Sequence, residues 1–226
     1  VNVVERIVKV FYSPREVFAY LGEKPDWLVP LIILMVVSVL AVFLTYSPII
    51  KVEQMRRFED SSRFTQEQIE EMKKGFEGNR GLIIALAGTV VVAPIALLMV
   101  SAILFGVFSL IGGEGKYKKV LSVYSYSSLI AVLSIVIKTP LQLAKGSSQV
   151  YTSAALAVPG LSPQSTLFRI LNSFDIFTLW QLWAVILGLA TIYGFTTKKS
   201  AMGVLSIWAI WVVLKVGLGA VFARMS

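Results

Sequence analysis

Apolar residues along this chain are gathered into runs rather than spread over alternate faces. Five runs stand out: Leu28 to Tyr46, Leu82 to Ile111, Val120 to Ile137, Ile176 to Tyr193, and Ala201 to Phe222. A bilayer hydrocarbon core of about 30 Å takes roughly 20 apolar residues in a helix. In that solvent every backbone N–H and C=O must be satisfied inside its own segment, so runs of this kind cross as helices. The pattern predicts an all-α integral membrane protein, a five-helix transmembrane bundle forming a single membrane domain over residues 1–226, with spans at about 28–46, 82–111, 120–137, 176–193 and 201–222. No such run precedes Leu28, so a cleavable leader is not expected and the first span is expected to be its own anchor.

Between the runs the pattern becomes amphipathic. Over residues 1–26, Val4, Ile7, Val8 and Phe11 alternate at helical spacing with Glu5, Arg6 and Lys9. Ser13-Pro14-Arg15-Glu16 then reads as a capping box opening a second short helix with Val17, Phe18 and Leu21. Both helices are expected at the membrane surface, as a lead-in packed on the first span or, alternatively, as a partner-binding arm. The first span should end at Ser47-Pro48 and the third at Lys138-Thr139-Pro140, because proline offers no N–H to a helix. Two outer segments follow from this, 47–81 and 139–174. In the first, Thr65-Gln66-Glu67-Gln68 is another capping box, and Ile69, Met72 and Phe76 mark a short amphipathic helix, read as a lid on the bundle or as a docking surface for another protein. In the second, Ala154 to Val158 and Leu167 to Leu171 are apolar enough to rest on or re-enter the bilayer. The second run has 30 residues, about 45 Å of helix, and Pro94 supplies a kink by leaving the Val90 carbonyl without its helical donor.

Composition agrees with the runs: 56% of residues are hydrophobic and only 15% charged, against roughly 25% charged in soluble domains. The net charge of +8 does not point to nucleic acid, because residues 1–26 and 47–81 are each neutral. The excess lies in short turns and at span ends, including Lys116, Lys118, Lys119, Lys198, Lys199 and Lys215, as for topology signals and anionic head groups. Basic density near span ends is highest at the amino end, at Gly112 to Lys119 and at Gly194 to Ser200. The amino terminus is therefore expected in the cytoplasm and the carboxyl terminus outside.

Cysteine and histidine are both absent. This excludes thiolate nucleophiles, Ser-His and Cys-His pairs and the usual zinc and haem ligands. The three aspartates, Asp26, Asp60 and Asp175, all lie outside the spans, so an intramembrane aspartyl dyad is excluded too. No catalytic residue, cofactor or metal is expected, and the chain reads as a non-enzyme.

Candidate contact residues therefore lie at the edges. Gly112, Gly113 and Gly115 permit a sharp reversal that crowds Lys116, Lys118 and Lys119 around Tyr117, a candidate surface for lipid or a partner. Trp180 and Trp183 suit an interfacial belt. Asp175 at the mouth of span four and Lys215, about 10 Å below the outer end of span five, are expected to form an ion pair, unless Lys215 reaches lipid phosphates alone. Tyr124, Ser125, Ser127 and Ser128 open span three as interhelical hydrogen-bonding groups or, on the alternative reading, as a polar path.

The five-span hydropathy, the proline and Trp27 before span one, the Gly-rich lysine and tyrosine turn, the polar start of span three and Asp175-Ile176-Phe177-Thr178-Leu179-Trp180 together resemble the Yip family of membrane proteins (the Ypt/Rab-interacting type), in its short bacterial form. The resemblance implies a five-helix bundle of the bacterial inner membrane with a cytoplasmic amino terminus. Eukaryotic members are implicated in vesicle trafficking with Rab GTPases, and some bacterial forms resemble accessory subunits of ABC exporters. The expected function is a non-enzymatic accessory or scaffold protein whose partners are membrane lipids and a membrane complex such as an ABC exporter, with oligomer formation compatible and nucleic acid excluded. The alternatives are a small transporter or lipid-translocating protein and a membrane-remodelling protein using its amino-terminal helices as wedges.

Overall fold

The computed structural model describes residues 2–59, 65–75 and 78–224, and their regular elements are all helical. Asp60 and Phe76, both singled out by the sequence pattern, lie outside the described residues. Helices α1 (Val3–Lys9) and α2 (Pro14–Glu23) precede five segments long and apolar enough to cross a membrane: Leu28–Glu59, Arg80–Leu110, Tyr117–Lys145, Ile176–Tyr193 and Thr197–Gly219. The fourth, α10 (Ile176–Tyr193), has the bounds its apolar run predicts.

Two of the spans outrun a proline expected to stop them. In the first, α3 (Leu28–Thr45) passes into a π-helical turn at Tyr46–Ile50 and on into α4 (Lys51–Glu59). Pro48 has no N–H to offer, and the wider turn absorbs the loss by letting the Lys51 amide donate to the Tyr46 carbonyl. The 32-residue rod is about 48 Å long, so Glu53, Arg56 and Arg57 lie past a 30 Å slab that begins at Leu28. In the third span, α7 (Tyr117–Ser127) steps at Ser128 into α8 (Leu129–Lys145). Pro140 lies inside α8, which ends instead at Gly146 in the left-handed region, φ 64°. There the Gly146 and Ser147 amides donate to Leu143 and Gln142, collecting carbonyls that would otherwise be orphaned. The second span, α6 (Arg80–Leu110), holds Pro94 in its interior, and the fifth is α11 (Thr197–Arg224).

The third span is the central helix, packed by α3, α6 and α10, whereas α3, α6 and α11 each keep an exposed apolar face. Ile32, Val36 and Leu40, or Ile210, Trp211 and Leu214, are exposed over half or more of their surface and suit hydrocarbon. The densest core lies at the amino-terminal end of the bundle. There α2 packs against α10 and α7 rather than the first span, with Val10, Val17, Phe18 and Leu21 fully buried over the stretch Ala184 to Ala190. Helix α2 begins at Pro14 as expected, yet the Ser13 capping box does not close: the Glu16 carboxylate turns to the Lys9 ammonium. Lys9 also donates to Glu5 at 2.7 Å, and these two partners raise its pKa. Val4 and Val8 stay exposed, so the apolar row read along α1 is split between the bundle and its surroundings.

At the opposite end the second capping box does close. The Gln68 amide donates to Thr65 Oγ1 at 3.3 Å and the Thr65 amide to Gln68 Oε1 at 3.0 Å, opening α5 (Gln66–Gly75). Lys73 pairs with Glu59 of α4 at 2.6 Å. Glu53 accepts from Ser147 Oγ at 3.1 Å and from the Ser148 amide at 2.9 Å, tying the connection after the first span to the one after the third. The second carries a short 3-10 turn at Ala154–Ala157 and α9 (Thr166–Leu171), which rests on α11. The described termini thus lie at opposite ends, α2 beside the Gly194 turn and the far part of α11 beside α9.

Candidate functional site

Polar chemistry collects in three places, and the first is the glycine turn. A Cβ at Gly113 would come within 2.7 Å of both the Phe108 carbonyl oxygen and the Tyr193 ring, and one at Gly115 within 2.9 Å of that ring. Glycine is required at these two positions because Tyr193 occupies the space. The ring stacks on Phe108 at 5.4 Å and on Phe195 at 5.7 Å, and Lys199 Nζ lies 3.7 Å from the centre of Phe195. Tyr117 points away from the lysines, its phenol donating to the Leu98 carbonyl at 2.9 Å. The turn Gly112 to Lys119 and the turn Gly194 to Ser200 therefore form one end surface. Lys116, Lys118 and Lys198 are exposed on it, with Lys119 and Lys199 half-buried. Arg15 of the amino-terminal arm joins them by donating to Thr197 Oγ1 at 3.0 Å.

The second place was not anticipated from the sequence. Arg6, only 6% exposed, donates to Asp26 Oδ2 at 3.1 Å, and the Tyr126 hydroxyl donates to the same oxygen at 3.1 Å. The guanidinium carbon stands 4.8 Å from the Tyr20 ring centre and 5.8 Å from that of Tyr126. This cluster locks α1 to the entrance of span one and to span three. The readable signal was the i, i+4 spacing of Arg6 and Val10, which puts an arginine in line with an apolar residue of the arm. Trp180 belongs to the same dock: it meets Phe11 edge-on at 5.8 Å and is half-buried rather than free in an interfacial belt, whereas Trp183 stays exposed.

The serine hydroxyls at the start of span three are engaged by backbone carbonyls. Ser125 Oγ donates to the Trp27 carbonyl at 2.7 Å, Ser127 Oγ to Val123 at 2.8 Å and Ser128 Oγ to Ser125 at 2.6 Å, all in buried positions. Tyr124 packs partly buried against the core. Each serine thus satisfies a backbone carbonyl, as hydroxyls between packed helices do.

The third place corrects the expected pairing of Asp175 with Lys215. Asp175 Oδ2 accepts from Lys138 Nζ of span three at 2.8 Å and from Thr152, while Oδ1 accepts from the amides of Phe177 and Thr178, capping α10. Lys215 is exposed on α11 and has no ion pair among the described residues. The fold decides this because α8 packs against α10 and brings Lys138 to the start of that helix. Burial pushes the Asp175 carboxyl up, but Lys138, Thr152 and the Phe177 amide outweigh it and hold the pKa below its ordinary value. Stability from this group is thus complete above an ordinary carboxylate pKa of about 4 and is lost as pH falls through the lower native value. Asp175→Asn is expected to cost about 2 kcal/mol at neutral pH and to flatten the acid limb of a thermal-melt series in detergent.

Comparison with known proteins agrees with this architecture. A family model described as the Yip1 domain matches residues 8–218. The membrane protein YknW of Bacillus subtilis is 26% identical over 220 residues, covering 94% of this chain and 89% of that protein. No solved structure matches the chain. The matched region runs from α1 through all five spans to the far part of α11, and on that extent the chain belongs to the Yip1 domain family of membrane proteins.

Proposed function

We propose that this protein is a non-enzymatic accessory or scaffold subunit of the bacterial cytoplasmic membrane, with its amino terminus inside, acting on a partner membrane complex of the ABC-exporter type. The observation that carries this reading is the assembled outer cap. Helices α4 and α5 and the segment from Gly146 to Asp175 are held to one another by Glu53, Lys73 and the Ser153–Asp175 backbone bridge. They stand on a rod longer than the hydrocarbon core. Leu156, Leu167 and Ile170 are exposed on this cap, apolar surface available for another protein. A role in translocation finds less support, because the serines of span three are consumed by backbone carbonyls.

Purification from native membranes in mild detergent is expected to recover a stoichiometric membrane partner. Leu156→Glu with Leu167→Glu should reduce that recovery at least about tenfold, a charge at an apolar contact costing more than 1.4 kcal/mol. Recovery of the chain alone after crosslinking in intact membranes would sink the reading.

A further inference from the structure

The lysines of the two joined turns, Lys116, Lys118, Lys119, Lys198 and Lys199, make no ion pair among the described residues. Their proximity is built in: Tyr193 seats against Gly113 and Gly115, and Phe195, stacked on Tyr193, carries Lys199 over its face. Helix α7 starts between them without a side-chain cap, so its first amides and the positive end of its dipole add to the same field. The one acid within the two turns, Glu114, leaves a clear positive excess. Next to this surface the end of α6 bares Leu110, 88% exposed, and the start of α11 bares Met202, 58% exposed. Uncovered apolar side chains beside unpaired ammonium groups match the boundary between acyl chains and head groups.

We infer that this end of the bundle binds the phosphate head groups of anionic phospholipids, with Lys116, Lys118 and Lys198 meeting phosphate and Leu110 and Met202 lying against acyl chains. The inference does not depend on the accessory role, since lipid binding is a property of the isolated chain. An acidic protein would also find this charge. Bilayer lipid is favoured because the apolar residues lie beside the lysines on span helices and point outward from the bundle.

The full chain is exchanged into nanodiscs of phosphatidylcholine with or without phosphatidylglycerol, and the lipids it retains on extraction from mixed vesicles are weighed by native mass spectrometry. The expected result is enrichment of phosphatidylglycerol and a higher melting temperature in its presence, both fading as salt shortens the screening length. K116Q/K118Q/K198Q should lose the enrichment, at about fivefold in relative affinity per lysine, with its melting temperature in phosphatidylcholine unchanged. Arg56→Gln with Lys74→Gln, at the opposite end, should keep it. If the triple variant melts lower in phosphatidylcholine, Lys118→Gln and Lys198→Gln singly carry the comparison, each losing about fivefold. Three outcomes overturn the inference: equal enrichment in wild type and the lysine variants, equal loss in the opposite-end control, or stabilisation reproduced by inorganic phosphate alone. Co-purification of an acidic protein through these lysines without any lipid preference overturns it as well.

Discussion

Replacing Asp26 with leucine is expected to cost the folded protein about 3 to 5 kcal/mol, because Arg6 would remain buried without its carboxylate. Nε of Arg6 already lacks a hydrogen-bond partner, and Tyr126 would lose its acceptor in the same step. The guanidinium cannot shed its proton to escape the cost. The fall should be read as a lower melting temperature in detergent, and as protease cleavage within the freed arm at Lys9 or Arg15. Replacing both Arg6 and Asp26 by leucine should restore most of the loss, since two apolar side chains leave no charge behind. If the double variant is as unstable as Asp26→Leu, the ion pair is not what holds the arm.

Gly188 is the other position where one change should do large damage. A Cβ there would stand 2.4 Å from Val123 Cγ1 and 2.9 Å from the Phe18 ring, at the point where α2, α7 and α10 meet. Alanine is expected to cost about 2 to 3 kcal/mol by overpacking, and leucine more, by prising α2 off the bundle. Gly106 lies on the exposed face of α6 with nothing within 4 Å of a built Cβ. Gly106→Ala should therefore gain up to about 1 kcal/mol from helix propensity. Melting curves of the two alanine variants moving in the same direction would refute the packing account.

The spans were legible because a bilayer imposes a composition on every residue of a segment, and α10 shows this at both ends. What the pattern missed was what happens at prolines. Pro48 and Pro140 are both stop signals by local rule, and both are carried inside longer helices, one by a π turn and one by tertiary packing of α8 along α3. The misassigned partner of Asp175 has a separate cause: Lys138 stands at the predicted end of span three, and only the packing of α8 against α10 decides which of the two lysines meets the carboxylate. The amphipathic arm was recognised, but its destination was not: the apolar face of Val17, Phe18 and Leu21 fits lipid or protein equally well by composition. Only the small residues Ala184 and Gly188, four apart on α10, mark the groove that receives it. The glycine turn was noticed for its backbone freedom, whereas its stricter need is room for a tyrosine nearly 80 residues away in sequence.

The seat of the arm on α10 also imposes a schedule on biosynthesis. Phe18 leaves the ribosome roughly 170 residues before Gly188, an interval on the order of 10 s at ordinary elongation rates. Throughout that time the groove does not exist, and Val10, Val17, Phe18 and Leu21 have only the membrane surface or an insertion factor to shelter them. The arm is thus a surface-seeking helix while the chain is being made and a core element once the fourth span has entered. Its polar face, with Arg15 and Glu16 outward in the finished bundle, serves both stages without change.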